Sequence, residues 1–186
     1  MQAYVFIGKS GSGKGTQVAL LKEKLGTVFH LETGEVFRSF ITSSSYTAGL
    51  TKAMMDEGKL PPSFIGIHVW SHELINQYKG EEIVLLDGTP RISEEVPVLL
   101  SAAAFYGWNV TVIYLDVSDD WARERLEGRG RSDDRDPHDR DERIAWFHKN
   151  VIPAIELLKE KVTVYTINGE RSIEEIHENI CNTLGI

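Results

Sequence analysis

Cysteine occurs once, at Cys181, so the chain has no partner for an internal disulfide and no Cys-x-x-Cys pair to hold zinc. A reducing compartment suits such a chain. Basic residues are also in deficit: 20 Lys and Arg stand against 28 Asp and Glu, for a formal charge of −8. That balance argues against broad electrostatic capture of nucleic acid or acidic lipid, so any anion has to be held locally. Long apolar runs are missing as well. The longest, residues 96–108, is interrupted by Pro97, Ser101 and Gly107, and the apolar start at residues 3–7 is too short for a signal peptide. His68 and His72 have a helical spacing but no third ligand nearby and no H-E-x-x-H pattern, so a metal site is not expected there. Trp70, Trp108, Trp121 and Trp146 are scattered, which suits packing rather than a stacking platform for bases. We expect a soluble, cytoplasmic monomer with no structural zinc, no nucleic-acid partner and no membrane association.

What is present is an alternation. A chain of 186 residues, 41% of them hydrophobic, suffices for one domain with its own core. Short β-branched or aromatic runs at residues 4–7, 83–86, 110–115 and 162–167, with a weaker one at 28–31, are separated by helix-length segments. Strands that are apolar nearly throughout suit a parallel sheet covered on both faces. The expected fold is therefore α/β, a doubly wound five-stranded parallel sheet. Val18, Leu21 and Leu25 form a stripe that stops at Gly26, and helices also read over residues 33–41, 64–78, 94–105 and 119–126. Ser172 and Glu175 have the spacing of a capping box and open a last helix. Pro153 falls inside the helical stretch 144–161, which it should kink.

Two regions break this rhythm. Residues 33–63 carry helices with no strand between them, enough chain for a small helical insert. Residues 128–142, reading GRGRSDDRDPHDRDE, are too polar to enter a core and read as a surface loop. The core of a single domain would then be residues 1–32, 64–127 and 143–186.

Gly8-Lys9-Ser10-Gly11-Ser12-Gly13-Lys14 directly follows the first strand and precedes the first helix, the context that a G-x-x-x-x-G-K phosphate loop requires. Its glycines let the backbone curl so that N–H groups surround phosphate oxygens. The helix N-terminus adds positive potential, and Lys14 brings a mobile cation to the β and γ oxygens of ATP. Gly15 stands where many such loops carry a magnesium-binding hydroxyl, which comes one place later at Thr16. Gly11, Ser12, Gly13, Lys14, Gly15 and Thr16 are the candidate ATP ligands.

The segment GSGKGTQ, residues 11–17, resembles the phosphate loop of adenylate kinases, and further motifs follow in order. His30-Leu31-Glu32-Thr33-Gly34-Glu35-Val36-Phe37-Arg38 is similar to the family's H-[IL]-S-T-G-D-x-x-R. Asp56-Glu57-Gly58-Lys59-Leu60 matches its D-x-G-x-L turn, and Leu85-Leu86-Asp87-Gly88-Thr89-Pro90-Arg91 resembles L-x-D-G-[FY]-P-R. Gly128-Arg129-Gly130-Arg131-Ser132-Asp133-Asp134, with Arg143 beyond it, looks like a lid of the short kind. The resemblance implies a P-loop nucleoside monophosphate kinase, which moves the γ-phosphoryl group of Mg-ATP reversibly onto a nucleoside monophosphate. Residues 33–63 would be its monophosphate-binding insert and residues 128–142 its lid.

Phosphoryl transfer spreads charge over the migrating group, so catalysis consists mainly of alignment and well-placed cations. The resemblance assigns Arg38 and Arg91 to the acceptor's α-phosphate, Arg129 to the adenine or phosphates of ATP, and Arg131 and Arg143 to the transferring group. Lys14, Arg91, Arg129, Arg131 and Arg143 form the implied catalytic set. Arg140 rivals Arg143, because the stretch after Asp134 is about one residue longer than the family pattern. Asp133 and Asp134 would anchor the closed lid or face solvent. Thr33, Gly34, Leu60, Gly88 and Glu95 complete the implied acceptor site. Asp87 sits at the carboxyl end of an apolar strand, where open parallel sheets bind ligands, and can hold Mg²⁺ through water alongside Thr16.

By resemblance Thr33 favours AMP. Glu95 stands where adenylate kinases carry a glutamine, and an ionised carboxylate only accepts hydrogen bonds, which suits the N1–H and N2–H of guanine better than adenine N1. Thr89 replaces an aromatic residue. AMP is the expected acceptor, with GMP or a broadened specificity as the alternative, unless Glu95 simply turns to solvent. Two other classes stay open: a kinase acting on a metabolite hydroxyl, and a nucleotide-binding regulatory module that does not turn over.

Overall fold

The computed structural model describes residues 1–56, 61–129 and 136–186. Its centre is β1 (Gln2–Gly8), in which Ala3, Tyr4, Val5, Phe6 and Ile7 are all buried. A strand can bury consecutive residues only if both faces are covered, and they are. Ala3, Val5 and Ile7 point to a core that includes Trp70, Leu99 and Ile155. Tyr4 and Phe6 point to a second core with Val18, Leu21, Ile176 and Ile180.

Strands β2 (Val28–Glu32), β3 (Ile83–Asp87), β4 (Asn109–Asp116) and β5 (Thr163–Asn168) complete a sheet of order β2-β3-β1-β4-β5, parallel throughout. All five expected strands are present, including the weak one at residue 28. The chain leaves β1 towards β2 and β3 on one side and returns to β4 on the other. The crevice outside the carboxyl ends of β1 and its neighbours is therefore a topological switch point. Register matches Phe6 and Glu32 to Asp87, so the ends of β1, β2 and β3 lie abreast.

Helix α1 (Lys14–Leu25) follows β1 and stops at Gly26, whose φ of 78° is a conformation that favours glycine. Helices α2 (Thr33–Ile41), α3 (Tyr46–Asp56) and α4 (Ser63–Gln77) succeed one another between β2 and β3. Helix α5 (Glu95–Tyr106) leads into β4, and α6 (Asp119–Arg129) follows it. The last helix, α9 (Ile173–Leu184), opens with the expected reciprocal cap between Ser172 and Glu175.

Two expectations need correction. The stretch 128–142 is not all loop: α6 runs on to Arg129, and α7 (Pro137–Trp146) begins inside it. The Asp136 carboxylate accepts from His138 N at 2.8 Å, and Pro137 takes the first helical position, where its missing N–H costs nothing. An ion pair supports the polar face of α7, with Arg123 reaching Asp141 at 2.7 Å, and its last turn buries Ile144 against Val117 and Ala122. Nor does Pro153 produce a plain kink. A single π-helical turn, Phe147–Val151, separates α7 from α8 (Ile152–Lys159), which places Pro153 in the first turn of α8.

Candidate active site

The glycine loop joins the last residue of β1 to the first of α1. A side chain at Gly8 would begin 2.6 Å from the Leu115 carbonyl oxygen, so only glycine lets the loop pack against β4. Gly13 caps α1 with φ 89° and no capping side chain, which leaves the first N–H groups of the helix directed at the loop. Lys14 Nζ donates to the carbonyls of Gly8 at 2.8 Å and Lys9 at 3.0 Å. It thereby closes the loop on itself, and Ser12 N donates to the same Lys9 carbonyl at 3.1 Å.

Asp87 ends β3 and is buried. Burial pushes its carboxyl above the ordinary aspartate range, with the Lys14 charge pulling the other way. Its Oδ2 lies 4.0 Å from the point where a side chain on Gly15 would begin. Thr16 is exposed one residue further on.

Across the crevice, two arginines approach one point. Arg38 Nη1, Arg91 Nη2 and Glu32 Oε1 lie 3.1, 3.5 and 3.8 Å from the position of a Cβ on Gly34. Arg91 is steered there by its own turn, in which Nε donates to the Gly88 carbonyl at 2.6 Å. Gly88 has φ 81°, and a Cβ on it would meet Arg91 Nη2 at 3.0 Å. Arg38 donates to Glu32 Oε1 at 3.1 Å. Thr33 is buried, and its hydroxyl has no hydrogen-bond partner among the described residues.

Glu95 does not turn to solvent: it is buried on the first turn of α5. Its Oε2 accepts from Arg91 N at 2.7 Å and from the Thr89 hydroxyl at 3.1 Å, while Oε1 faces Gly66 on α4. Burial raises its pKa against the pull of those hydrogen bonds.

One cleft of about 1600 Å³ joins these parts. Gly11, Gly13, Lys14, Gly15 and Thr16 line it from the loop, Asp87 from the sheet, and Gly34, Arg38, Gly88 and Arg91 from the far side. Arg143 on α7 lines it too, close enough that its charge acts on Arg91. Ser12, within the loop, is buried, and Ser12, Thr33 and Glu95 do not reach the cleft wall. Arg129 is the last residue of α6. The expectations for its side chain, and those for Leu60, Arg131, Asp133 and Asp134, lie outside the described residues.

Two residues emerge that the motifs did not single out. Arg125 lines the cleft from α6, with its guanidinium 4.9 Å from the centre of the Trp121 ring. Its place one turn before Arg129 was a usable signal, since residues four apart share a helix face. Lys9, inside the loop, is buried; its ammonium donates to the Val117 carbonyl, pairs with Asp119 at 3.1 Å and lies over the Phe147 ring.

Comparison with known proteins decides the family. The family model described as "Adenylate kinase" matches residues 6–163. The chain belongs to the adenylate kinase family. It is 34% identical over 183 residues to the adenylate kinase of Corynebacterium aurimucosum, with 98% of each chain covered. It is 30% identical over 186 residues to "Adenylate kinase 1" of Nostoc sp., with 100% of each covered. Membership in the adenylate kinase family brings the coarse activity with it, a kinase that moves phosphoryl groups between nucleotides. The adenylate kinase pattern also frames the departures at Glu32, Thr89 and Glu95, all of which lie within the architecture just described.

Proposed function

We propose that this adenylate kinase family member transfers the γ-phosphoryl group of Mg-ATP reversibly to AMP, giving two ADP. The observation that carries the proposal is one continuous cleft with a phosphate loop on one side and two converging guanidinium groups on the other. At about 1600 Å³ it exceeds the roughly 300–1,000 Å³ of a single small-ligand pocket, which suits two nucleotides end to end.

In this reading the loop amides and α1 hold the β- and γ-phosphates of ATP. Lys14 exchanges the Gly8 and Lys9 carbonyls for phosphate oxygens. Arg38 and Arg91 take the acceptor's α-phosphate, Arg129 serves the adenine or phosphates of ATP, and Arg131 and Arg143 would close over the group in flight. The gain is alignment and charge stabilisation. A buried carboxylate and an exposed hydroxyl that both line the cleft fit the sparse protein ligation that Mg²⁺ accepts, so Asp87 and Thr16 would hold it through water. When bound, the ion neutralises phosphate charge. Residues 33–63 and 128–142 would close over the two nucleotides and exclude water, the competing acceptor.

AMP is the first reading because Thr33, the residue through which the chain resembles AMP-specific relatives, opens α2 next to Gly34 on the cleft wall. The second reading, acceptance of GMP, rests on the Glu95 carboxylate standing in place of the family's glutamine, since when ionised it offers only acceptors; it would have to turn from Arg91 N and the Thr89 hydroxyl to meet the base. No helix among the described residues is long and apolar enough to cross a membrane. We take the enzyme as a cytoplasmic monomer whose partners are ATP and the monophosphate.

A coupled assay for ADP with AMP, dAMP, GMP, CMP and UMP tests the proposal. The highest kcat/KM is expected with AMP. ADP formation indifferent to every acceptor would mark a slow hydrolase or a regulatory module instead.

A further inference from the structure

Glu32 closes β2, caps α2 and stands beside the end of β3, in register with Asp87. Its Oε1 accepts from Arg38 Nη2 at 3.1 Å, with the Glu32 side chain 33% and the Arg38 side chain 51% exposed. The same oxygen lies within 4 Å of the point by Gly34 on which Arg38 and Arg91 converge. A carboxylate therefore already occupies one of the two guanidinium groups assigned to the acceptor phosphate, close to where the second approaches.

We infer that Glu32 is an internal competitor for the acceptor-phosphate site, holding Arg38 until a monophosphate displaces it. This rests on the assignment of Arg38 to the acceptor phosphate proposed above. Two physical effects act in the same direction. The incoming dianion has to break the Glu32–Arg38 pair, and once seated it faces the displaced negative charge at short range. Half-exposed pairs of this kind are weak, so the latch can be displaced by a ligand whose base and ribose add binding energy. Bare phosphate lacks that help. Glu32 thus raises the threshold for every anion and selects those that carry a nucleoside. It is a positioning residue, acting through Arg38.

Glu32→Gln keeps the shape and an oxygen acceptor for Arg38 but removes the charge; Glu32→Ser removes both the charge and the reach. In both variants the acceptor KM should fall about three- to tenfold while the KM for ATP stays put. Inorganic phosphate, used as a probe inhibitor competitive with the acceptor, should inhibit both variants several-fold more strongly than wild type. An acceptor KM that is unchanged, or that rises in Glu32→Ser, would mean that Glu32 only holds Arg38 in place, and the inference would be wrong. Failure of the kinase assignment looks different, because wild type itself would then show no acceptor-dependent ADP.

Discussion

The guanidinium groups of Arg38 and Arg91 converge on Gly34, with Arg38 Nη1 3.1 Å and Arg91 Nη2 3.5 Å from the place where a side chain on residue 34 would begin. Two cations are brought together although the pair repels, with Glu32 pairing Arg38 and the Gly88 carbonyl holding Arg91, an arrangement suited to receive an anion. A helix and a cis Thr89–Pro90 turn contribute one each.

From this the separate effects of the two arginines can be predicted. Charge-assisted hydrogen bonds contribute about 1.5–3 kcal/mol each, so Arg38→Ala should lower kcat/KM for the acceptor about ten- to hundredfold, mostly through KM. Arg91→Ala should cost at least as much and lower kcat as well, because Arg91 also lies close enough to Arg143 for their charges to interact. Steady-state kinetics with varied AMP separate the two cases. Equal losses in KM for ATP would contradict the assignment.

Lys14 presents a sharper case. Its ammonium bonds to two part-buried loop carbonyls, and the Lys9 carbonyl keeps a second donor, Ser12 N at 3.1 Å, when the ammonium is removed. Lys14→Ala should remain folded, with a thermal midpoint close to wild type, yet lose transfer by about 10³-fold or more with every acceptor. Circular dichroism melts and the coupled assay check the two halves together.

Glu95 links specificity to pH. Burial raises its carboxyl above the ordinary glutamate value of about 4.3. The folded chain therefore takes up this proton while the unfolded chain is still ionised, and this group's contribution to stability grows as pH falls through the raised value. Glu95→Gln removes the charge and keeps acceptors for Arg91 N and the Thr89 hydroxyl. At pH 7.5 it should be more stable than wild type by about 0.5–1 kcal/mol, an advantage that shrinks towards pH 4. Urea titrations at the two pH values measure the gap, and a gap that widens on acidification would contradict the account. The same variant should shift the AMP to GMP preference towards AMP.

Lys9 tests a structural claim. Its buried ammonium ties the phosphate loop to Asp119 at the start of α6, and Asp119 also meets His148 at 2.9 Å. Burial tends to raise the Asp119 pKa, but the His148 and Lys9 hydrogen bonds outweigh it and hold the carboxylate below its usual range. Because Asp119 keeps His148 and some solvent, Lys9→Met should cost only about 1–2 kcal/mol at pH 7 by urea denaturation. No loss at all would show that the pair contributes nothing.

These residues also show what can be read from a sequence. β1, β3 and β4 were legible because burial on both faces makes them apolar nearly throughout, whereas the edge strands β2 and β5 are less buried and showed through β-branched and aromatic residues. The loop was legible because its backbone demands glycine at fixed offsets, and the acceptor arginines because each lies inside a short motif. Lys9 was not, since its burial depends on Val117, more than a hundred residues away, and on Asp119 and Phe147. The first turns of α7 escaped for a different reason: residues 138–143 are all polar, and Ile144, the residue this helix buries, comes only near its end. Arg125 carried only a weak signal, the four-residue offset from Arg129.

The most direct measurement uses ADP alone. If two nucleotides lie end to end in the cleft and the transfer is reversible, enzyme, Mg²⁺ and pure ADP should yield ATP and AMP in equal amounts by ³¹P NMR, and Lys14→Ala should yield neither. Persistence of ADP, or its slow conversion to AMP and inorganic phosphate, would contradict the account.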